Sequence, residues 1–219
     1  TPAPKNAILI SNDRDEIMPL WYLQFVEQRR RDVIGLFPLI TPAPGYENVG
    51  RLIDRLLDSA RPVYLIKPMP GIETKFWLED DHNLIRVIGR TRETPPQVEK
   101  EISYTNQLRV KGFDAIRQEN LLRVAVFWQA RAELNVNYIS FVQLFDARGN
   151  KIAQGNDHQV GGEYYPTRLW MLDEVLRDEH ALIIPDHLAP GAYRIGVGMY
   201  TRDRELLGEP VEIGTVTLR

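Results

Sequence analysis

The second half of this chain consists of short apolar and aromatic runs separated by turn residues, and this pattern constrains the fold more than any other feature. At residues 122–129 and 193–200, every second position is apolar. Successive side chains of a strand point to opposite faces, so this period indicates strands with a buried face. Residues 146–150 have the composition of a hairpin turn. About seven or eight strands fit between residues 107 and 218, and we predict an antiparallel β-sandwich, Ig-like or jelly-roll-like.

From residue 7 to about residue 90 the pattern is different, because short apolar runs alternate with helical ones. The apolar runs cover residues 7–10, 33–37 and 63–66, and helices are predicted at residues 19–30 and 48–60. Buried strands that alternate with helices are typical of parallel βαβ units with right-handed crossovers. We therefore predict a small parallel βαβ domain, Rossmann-like or flavodoxin-like, with one more strand at residues 84–88.

The predicted fold class is thus α/β plus all-β, in two domains. The turn-forming sequence Thr-Pro-Pro-Gln at residues 94–97 marks the boundary between them. We expect an α/β domain at residues 1–96 and a β-sandwich domain at residues 97–219. A chain of 219 residues is long enough for two domains of roughly 100 residues each.

The composition excludes several classes of function. A net charge of −3 gives no field that would attract nucleic acid, so we predict no nucleic-acid partner. The absence of cysteine excludes disulfides, thiolate metal sites and cysteine nucleophiles. No apolar run in the sequence approaches the roughly 20 residues that span a bilayer. The chain begins Thr-Pro-Ala-Pro without a methionine, so we expect a processed product or a piece of a larger protein.

No sequence motif predicts a cofactor or a catalytic residue. The chain has no glycine-rich phosphate-binding loop and no G-x-S-x-G serine elbow. Its four histidines lack the i, i+4 spacing of a helical metal site, and we interpret them as surface residues: His82, His158, His180 and His187. We therefore predict no catalytic residue, no metal site and no cofactor.

The loop after the first predicted strand is one candidate site. It carries Asn12, Asp13, Asp15 and Glu16, and it lies where open α/β sheets bind ligands, outside the carboxyl ends of the strands. These acids and the asparagine could hold a metal or a sugar hydroxyl. The alternative is helix capping, since an Asp or Asn before a helix with Pro19 in its first turn is ordinary N-terminal chemistry.

Aromatic residues of the sandwich form a second candidate site. Tyr164, Tyr165 and Trp170 flank glycines and a proline, so we expect them to be exposed in a loop near Arg168 and Asp157. Aromatic faces stack on the C–H faces of sugars, which favours a glycan platform. The alternative is that these rings close one end of the sandwich.

Two segments resemble a known family. Residues 11–16 lead into Pro-Leu-Trp-Tyr at residues 19–22 and Arg-Asp-Val at residues 31–33. This segment resembles part of the soluble tail of bacterial multi-span membrane proteins related to protein O-mannosyltransferases, although Ser11-Asn12 replaces Gly-Asp. The sandwich runs resemble the carboxy-terminal extracytoplasmic module of bacterial polyprenyl-phosphate-dependent glycosyltransferases.

The resemblance implies a non-catalytic domain of a membrane glycosyltransferase-like protein, because the catalytic acids of such families lie near the first membrane helices. It implies a location on the extracytoplasmic face of the bacterial plasma membrane. The implied partners are the transmembrane region of the parent protein and a glycan or glycosylated acceptor. Two alternatives remain: a small-molecule- or metal-binding α/β domain that uses residues 13–16, or a purely structural interaction module.

Overall fold

The computed structural model describes residues 3–38 and 48–218, which form parts of two compact units. The first unit comprises Thr1–Glu93 together with Glu163–Tyr165. The second comprises Thr94–Gly162 and Pro166–Arg219. No helix in the described ranges is long and apolar enough to cross a membrane.

The first unit is built on a five-stranded sheet with the order β2-β1-β3-β5-β4. Its strands are β1 (Ile8–Ile10), β2 (Ile34–Leu36), β3 (Val63–Leu65), β4 (Phe76–Asp81) and β5 (Leu84–Arg90). The parallel pairing of β1 with β2 and with β3 is confirmed. The prediction of a small parallel βαβ domain is confirmed only in part, because β5 is antiparallel to both β3 and β4. A tight hairpin with His82 at a φ of 58° joins β4 to β5, so the sheet is mixed.

Two α-helices connect the parallel strands, and both differ in extent from the prediction. Helix α1 (Arg14–Phe25) begins five residues earlier than expected, because the side chain of Asp13 caps it by accepting a hydrogen bond from the backbone N–H of Asp15. It ends at Phe25, and Gln28 follows with a positive φ of 58°. Helix α2 (Val49–Leu57) is capped by Asn48 and buries Leu52 and Ile53.

The second unit consists of two antiparallel sheets. One has the order β12-β8-β7-β6, and the other has the order β10-β9-β13-β14 with β11 paired to β9. The first sheet contains β6 (Val98–Ser103), β7 (Leu108–Gln118), β8 (Leu121–Ala130) and β12 (Val175–Ile183). The second contains β9 (Ile139–Phe145), β10 (Lys151–Gln154), β11 (His158–Gln159), β13 (Gly191–Tyr200) and β14 (Val211–Leu218).

The core of the second unit lies between these sheets. Trp128 on β8 is buried, as its alternating pattern predicts, and its ring centroid is 5.5 Å from that of Tyr104. The Tyr104 hydroxyl accepts a hydrogen bond from the backbone N–H of Met199 on the opposite sheet. At Gly214 on β14, a Cβ atom would lie 2.6 Å from the ring of Phe113 on β7. The prediction of antiparallel sheets packed around one core is therefore confirmed.

Candidate functional site

The carboxyl ends of β1 and β3 bring charged residues together at one edge of the parallel strands. Ser11 follows β1 and donates its backbone N–H to the carbonyl of Leu36, while the backbone N–H of Ile66, directly after β3, donates to the carbonyl of Ile10. Strand β1 lies between β2 and β3. The chain thus runs to one side of β1 first and to the other side later, which makes this edge a topological switch point, where open α/β sheets bind ligands.

Lys67 forms ion pairs with two carboxylates at this edge. Its Nζ lies 2.8 Å from Oδ2 of Asp13 and 3.2 Å from Oε1 of Glu16. The hydroxyl of Ser11 donates a hydrogen bond to the other oxygen of Glu16. We call Ser11, Asn12, Asp13, Glu16 and Lys67 the sheet-edge cluster. All five come from the first turns after β1 and β3.

The charges of the sheet-edge cluster stabilise one another. The hydrogen bond from Lys67, helped by the backbone N–H of Asp15, holds the pKa of Asp13 below its usual range. The hydrogen bond to Asp13 raises the pKa of Lys67, against a smaller opposing effect of desolvation, and Glu16 adds to the increase. Both groups therefore stay ionised at neutral pH.

Within the described part of the chain, one buried polar atom of the cluster lacks a hydrogen-bond partner. The amide oxygen of Asn12 is shielded from solvent, and no atom in the described part of the chain donates a hydrogen bond to it. A buried acceptor without a donor costs free energy, so a ligand donor at this point would be favoured.

The structure separates the four residues predicted for this loop. Asp13 caps α1, so the capping interpretation is confirmed, and it also pairs with Lys67, while its role in binding a ligand stays a prediction. Glu16 joins the cluster, whereas Asp15 is 88% exposed and lies 3.8 Å from Arg14. Lys67 was missed, although its position after the third predicted strand matches that of Ser11 after the first.

The predicted glycan platform is corrected in part. Tyr165 is fully buried and Trp170 is 5% exposed, so the expectation that both rings are exposed is wrong. Tyr165 belongs to the first compact unit, where Lys75 donates a hydrogen bond to its hydroxyl. Trp170 belongs to the second unit, where it follows a short 3-10 helix. Burial of a large aromatic ring stabilises the folded state, which explains why both side chains lie in a core.

The other predicted platform residues lie nearer to solvent. Tyr164 is half-buried and Arg168 is exposed. Asp157 is exposed and accepts hydrogen bonds from the hydroxyl of Tyr200 and the amide of Gln154. Whether these residues bind a glycan stays a prediction.

The second unit contains a polar cluster that the sequence did not predict. His158 on β11, Asp178 and His180 on β12, and Ser140 on β9 meet between the sheets, and we call them the histidine–aspartate cluster. His180 is buried, so its interpretation as a surface residue is wrong, whereas His158 is half-buried.

Strand pairing brings the side chains of the histidine–aspartate cluster together. Pairing of β11 with β9 sets His158 opposite Ser140, whose hydroxyl oxygen lies 3.0 Å from Nε2 of His180.

The remaining histidines match the prediction, since His82 and His187 are exposed.

Comparison with known proteins adds little to this description. No protein-family model and no curated protein matches the chain. Among solved structures, the chain is similar to a beta-glucuronidase from glycoside hydrolase family 2, with 11% sequence identity and a TM-score of 0.30. The match covers 61% of this chain and only 13% of that chain. A likeness this weak supports no conclusion about function.

Proposed function

We propose that this chain is a non-catalytic binding module that holds a hydroxyl-rich ligand, a glycan or a glycosylated acceptor, at the sheet-edge cluster. The observation that carries the proposal is the convergence of Asp13, Glu16 and Lys67 at the switch point between β1 and β3. The amide oxygen of Asn12, to which none of the described residues donates, offers a further acceptor there. The strand order β2-β1-β3 is the beginning of the flavodoxin-like order, which binds its ligand at this point.

The chemistry of the cluster favours hydroxyl groups over metals. The Lys67 ammonium already lies between the two carboxylates, within 2.8 and 3.2 Å, so a divalent cation would have to displace it. Asp13, Glu16 and Lys67 together carry a net charge of −1, which disfavours phosphate. Sugar hydroxyls both donate and accept hydrogen bonds, so they fit carboxylate acceptors and an ammonium donor side by side.

The context of this module is part of the same proposal. The motif that resembles the tail of O-mannosyltransferase-related membrane proteins includes residues 11–16, which supply most of the cluster. This supports a domain on the extracytoplasmic face of the bacterial plasma membrane, next to the transmembrane region of its own parent protein. The sandwich, Ig-like or jelly-roll-like, would then serve as the supporting scaffold.

Calorimetric titration of the full chain with glucose-, mannose- and N-acetylglucosamine-containing oligosaccharides tests this function. We expect affinity around millimolar for at least one of them, because a few exposed hydrogen bonds give weak binding. Asp13→Asn and Glu16→Gln should each weaken binding about tenfold, since each removes a charge-assisted hydrogen bond.

Asp15→Asn is the matched control, because it makes the same chemical change in the same loop on a residue that is 88% exposed. It should leave the affinity unchanged. The proposal fails if no sugar binds at tens of millimolar, or if Asp15→Asn weakens binding as much as Asp13→Asn.

A further inference from the structure

The histidine–aspartate cluster surrounds a carboxylate that is fully removed from solvent. The side chains of Asp178 and His180 are both 0% exposed, whereas that of His158 is 39% exposed. One donor atom from each of these three residues lies within 4.8 Å of the other two. Imidazole nitrogen and carboxylate oxygen are the donor types of many transition-metal sites.

Among the described residues, the carboxylate of Asp178 pairs with two imidazoles. His158 Nε2 lies 2.8 Å from Oδ1, and His180 Nε2 lies 3.0 Å from Oδ2. Among the residues that the structure describes, no lysine or arginine pairs with this carboxylate. An ionised buried carboxylate requires a neighbouring positive charge.

A hydrogen bond at Nδ1 of His158 orients its ring toward the carboxylate of Asp178. Its Nδ1 lies 3.0 Å from the backbone carbonyl of Asn156, which can only accept, so Nδ1 carries a proton. In the neutral ring, Nε2 then presents a lone pair to the carboxylate of Asp178. Two lone pairs at this distance repel unless a proton or a metal ion lies between them. A backbone carbonyl on the far nitrogen is also the usual support of a metal-binding histidine.

The Nε2 atom of His180 also faces oxygen atoms inside the cluster. Its Nε2 lies 3.0 Å from both Asp178 Oδ2 and Ser140 Oγ, while its buried Nδ1 has no hydrogen-bond partner in the described chain. In a serine-protease triad, the hydroxyl and the carboxylate contact different nitrogens of the ring. Here they share one nitrogen, so the cluster lacks the geometry of a nucleophilic triad and instead gathers donor atoms around a point.

We propose that His158, Asp178 and His180 bind one late first-row divalent transition-metal ion, such as Zn²⁺, with Ser140 next to the fourth coordination position. Metal–ligand bonds of about 2.0–2.1 Å in a tetrahedral site place donor atoms about 3.3 Å apart. The observed separations of 2.8 and 3.0 Å are slightly shorter, so the ligands must move apart slightly, and the half-exposed His158 is the ligand with the most freedom to do so. The exposed edge of this ring also provides the entry route.

Metal titration of the full chain, after removal of bound ions with a chelator, tests the proposal. We expect Zn²⁺ to bind with a stoichiometry of one ion per chain and to raise the melting temperature, since binding to the folded state stabilises it. Co²⁺ should give the visible absorption of a four-coordinate ion. Mg²⁺ should give neither effect, because it prefers oxygen ligands.

Two single-histidine variants separate this site from adventitious binding. His158→Ala removes a ligand whose side chain is half-exposed, and it should weaken Zn²⁺ binding at least tenfold. His187→Ala, on an exposed residue outside the cluster, should not change it. Asp178→Asn should also weaken binding; if that variant does not fold, the two histidine variants decide. Absence of one-to-one Zn²⁺ binding, or equal losses in His158→Ala and His187→Ala, would overturn the proposal.

Discussion

Tyr165 illustrates how a residue from a glycine-rich loop becomes a core residue. Its ring packs beside Gly50 on α2, where a Cβ atom would lie only 2.3 Å from the ring carbon Cδ2. The ammonium of Lys75, itself buried, lies 4.4 Å above the ring centroid and 3.1 Å from the hydroxyl oxygen. Oδ2 of Asp54 lies 2.6 Å from that ammonium and forms an ion pair with it. Tyr165 thus shields a buried ion pair and has a structural role in the first unit.

Replacement of Tyr165 measures this role. Tyr165→Ala should lower the free energy of unfolding by about 3–5 kcal/mol, because it leaves a large cavity and uncovers Lys75. Tyr164→Ala is the matched control and should cost on the order of 1 kcal/mol, since that ring is only half-buried. Denaturant unfolding of both variants provides the comparison. Equal losses would mean that Tyr165 is not a core residue.

Asp32 provides a test of how stability depends on pH. The bidentate hydrogen bond from Arg30, with the backbone N–H of Asn6, lowers the pKa of Asp32 from 3.8 to about 2. A carboxyl with a lowered folded-state pKa contributes stability above its unfolded-state pKa and loses it as pH falls. The stability difference between the wild type and Asp32→Asn should therefore be constant above about pH 5 and shrink between pH 4 and pH 2. A difference independent of pH over that window would contradict the assignment.

At the scale of elements, hydrophobic period predicts structure well where one face is buried. The apolar stripe predicted α2, and alternation predicted β8 and β13, although residues 124–128 and 195–199 are buried on both faces of their strands. Strand β4 was not, because the acidic residues 79–81 interrupt its apolar run. The histidine–aspartate cluster was also hidden. It depends on which strands pair and face each other, and no local pattern near His158 or His180 carries that information.

Helix α2 offers a test of burial within one element. Leu52→Ala should lower the free energy of unfolding by about 2–5 kcal/mol, because Leu52 is 1% exposed and faces the core. Leu56 lies one turn later, near the end of the helix, and is half-buried. Leu56→Ala should therefore cost clearly less in the same denaturant titration. The reverse order would mean that the buried face of α2 is assigned wrongly.

At the scale of the whole molecule, the two units each have a core and a candidate site of their own. The sheet-edge cluster belongs to the first unit and the histidine–aspartate cluster to the second. The sequence indicated the loop of the first site because strand order dictates where open sheets bind ligands. It did not indicate that residues 163–165 belong to the first unit, because that depends on the fit of Tyr165 beside Gly50, far away in sequence.

We propose above that the sheet-edge cluster is the site at which this chain binds a glycan. The most direct measurement is NMR mapping of the isotopically labelled full chain during titration with the oligosaccharides named above. We expect the largest changes in amide chemical shift at residues 11–16 and at Lys67, and we expect them to saturate at millimolar sugar concentrations. Shifts centred on Asp157 or on residues 164–170, or no shifts at tens of millimolar sugar, would contradict it.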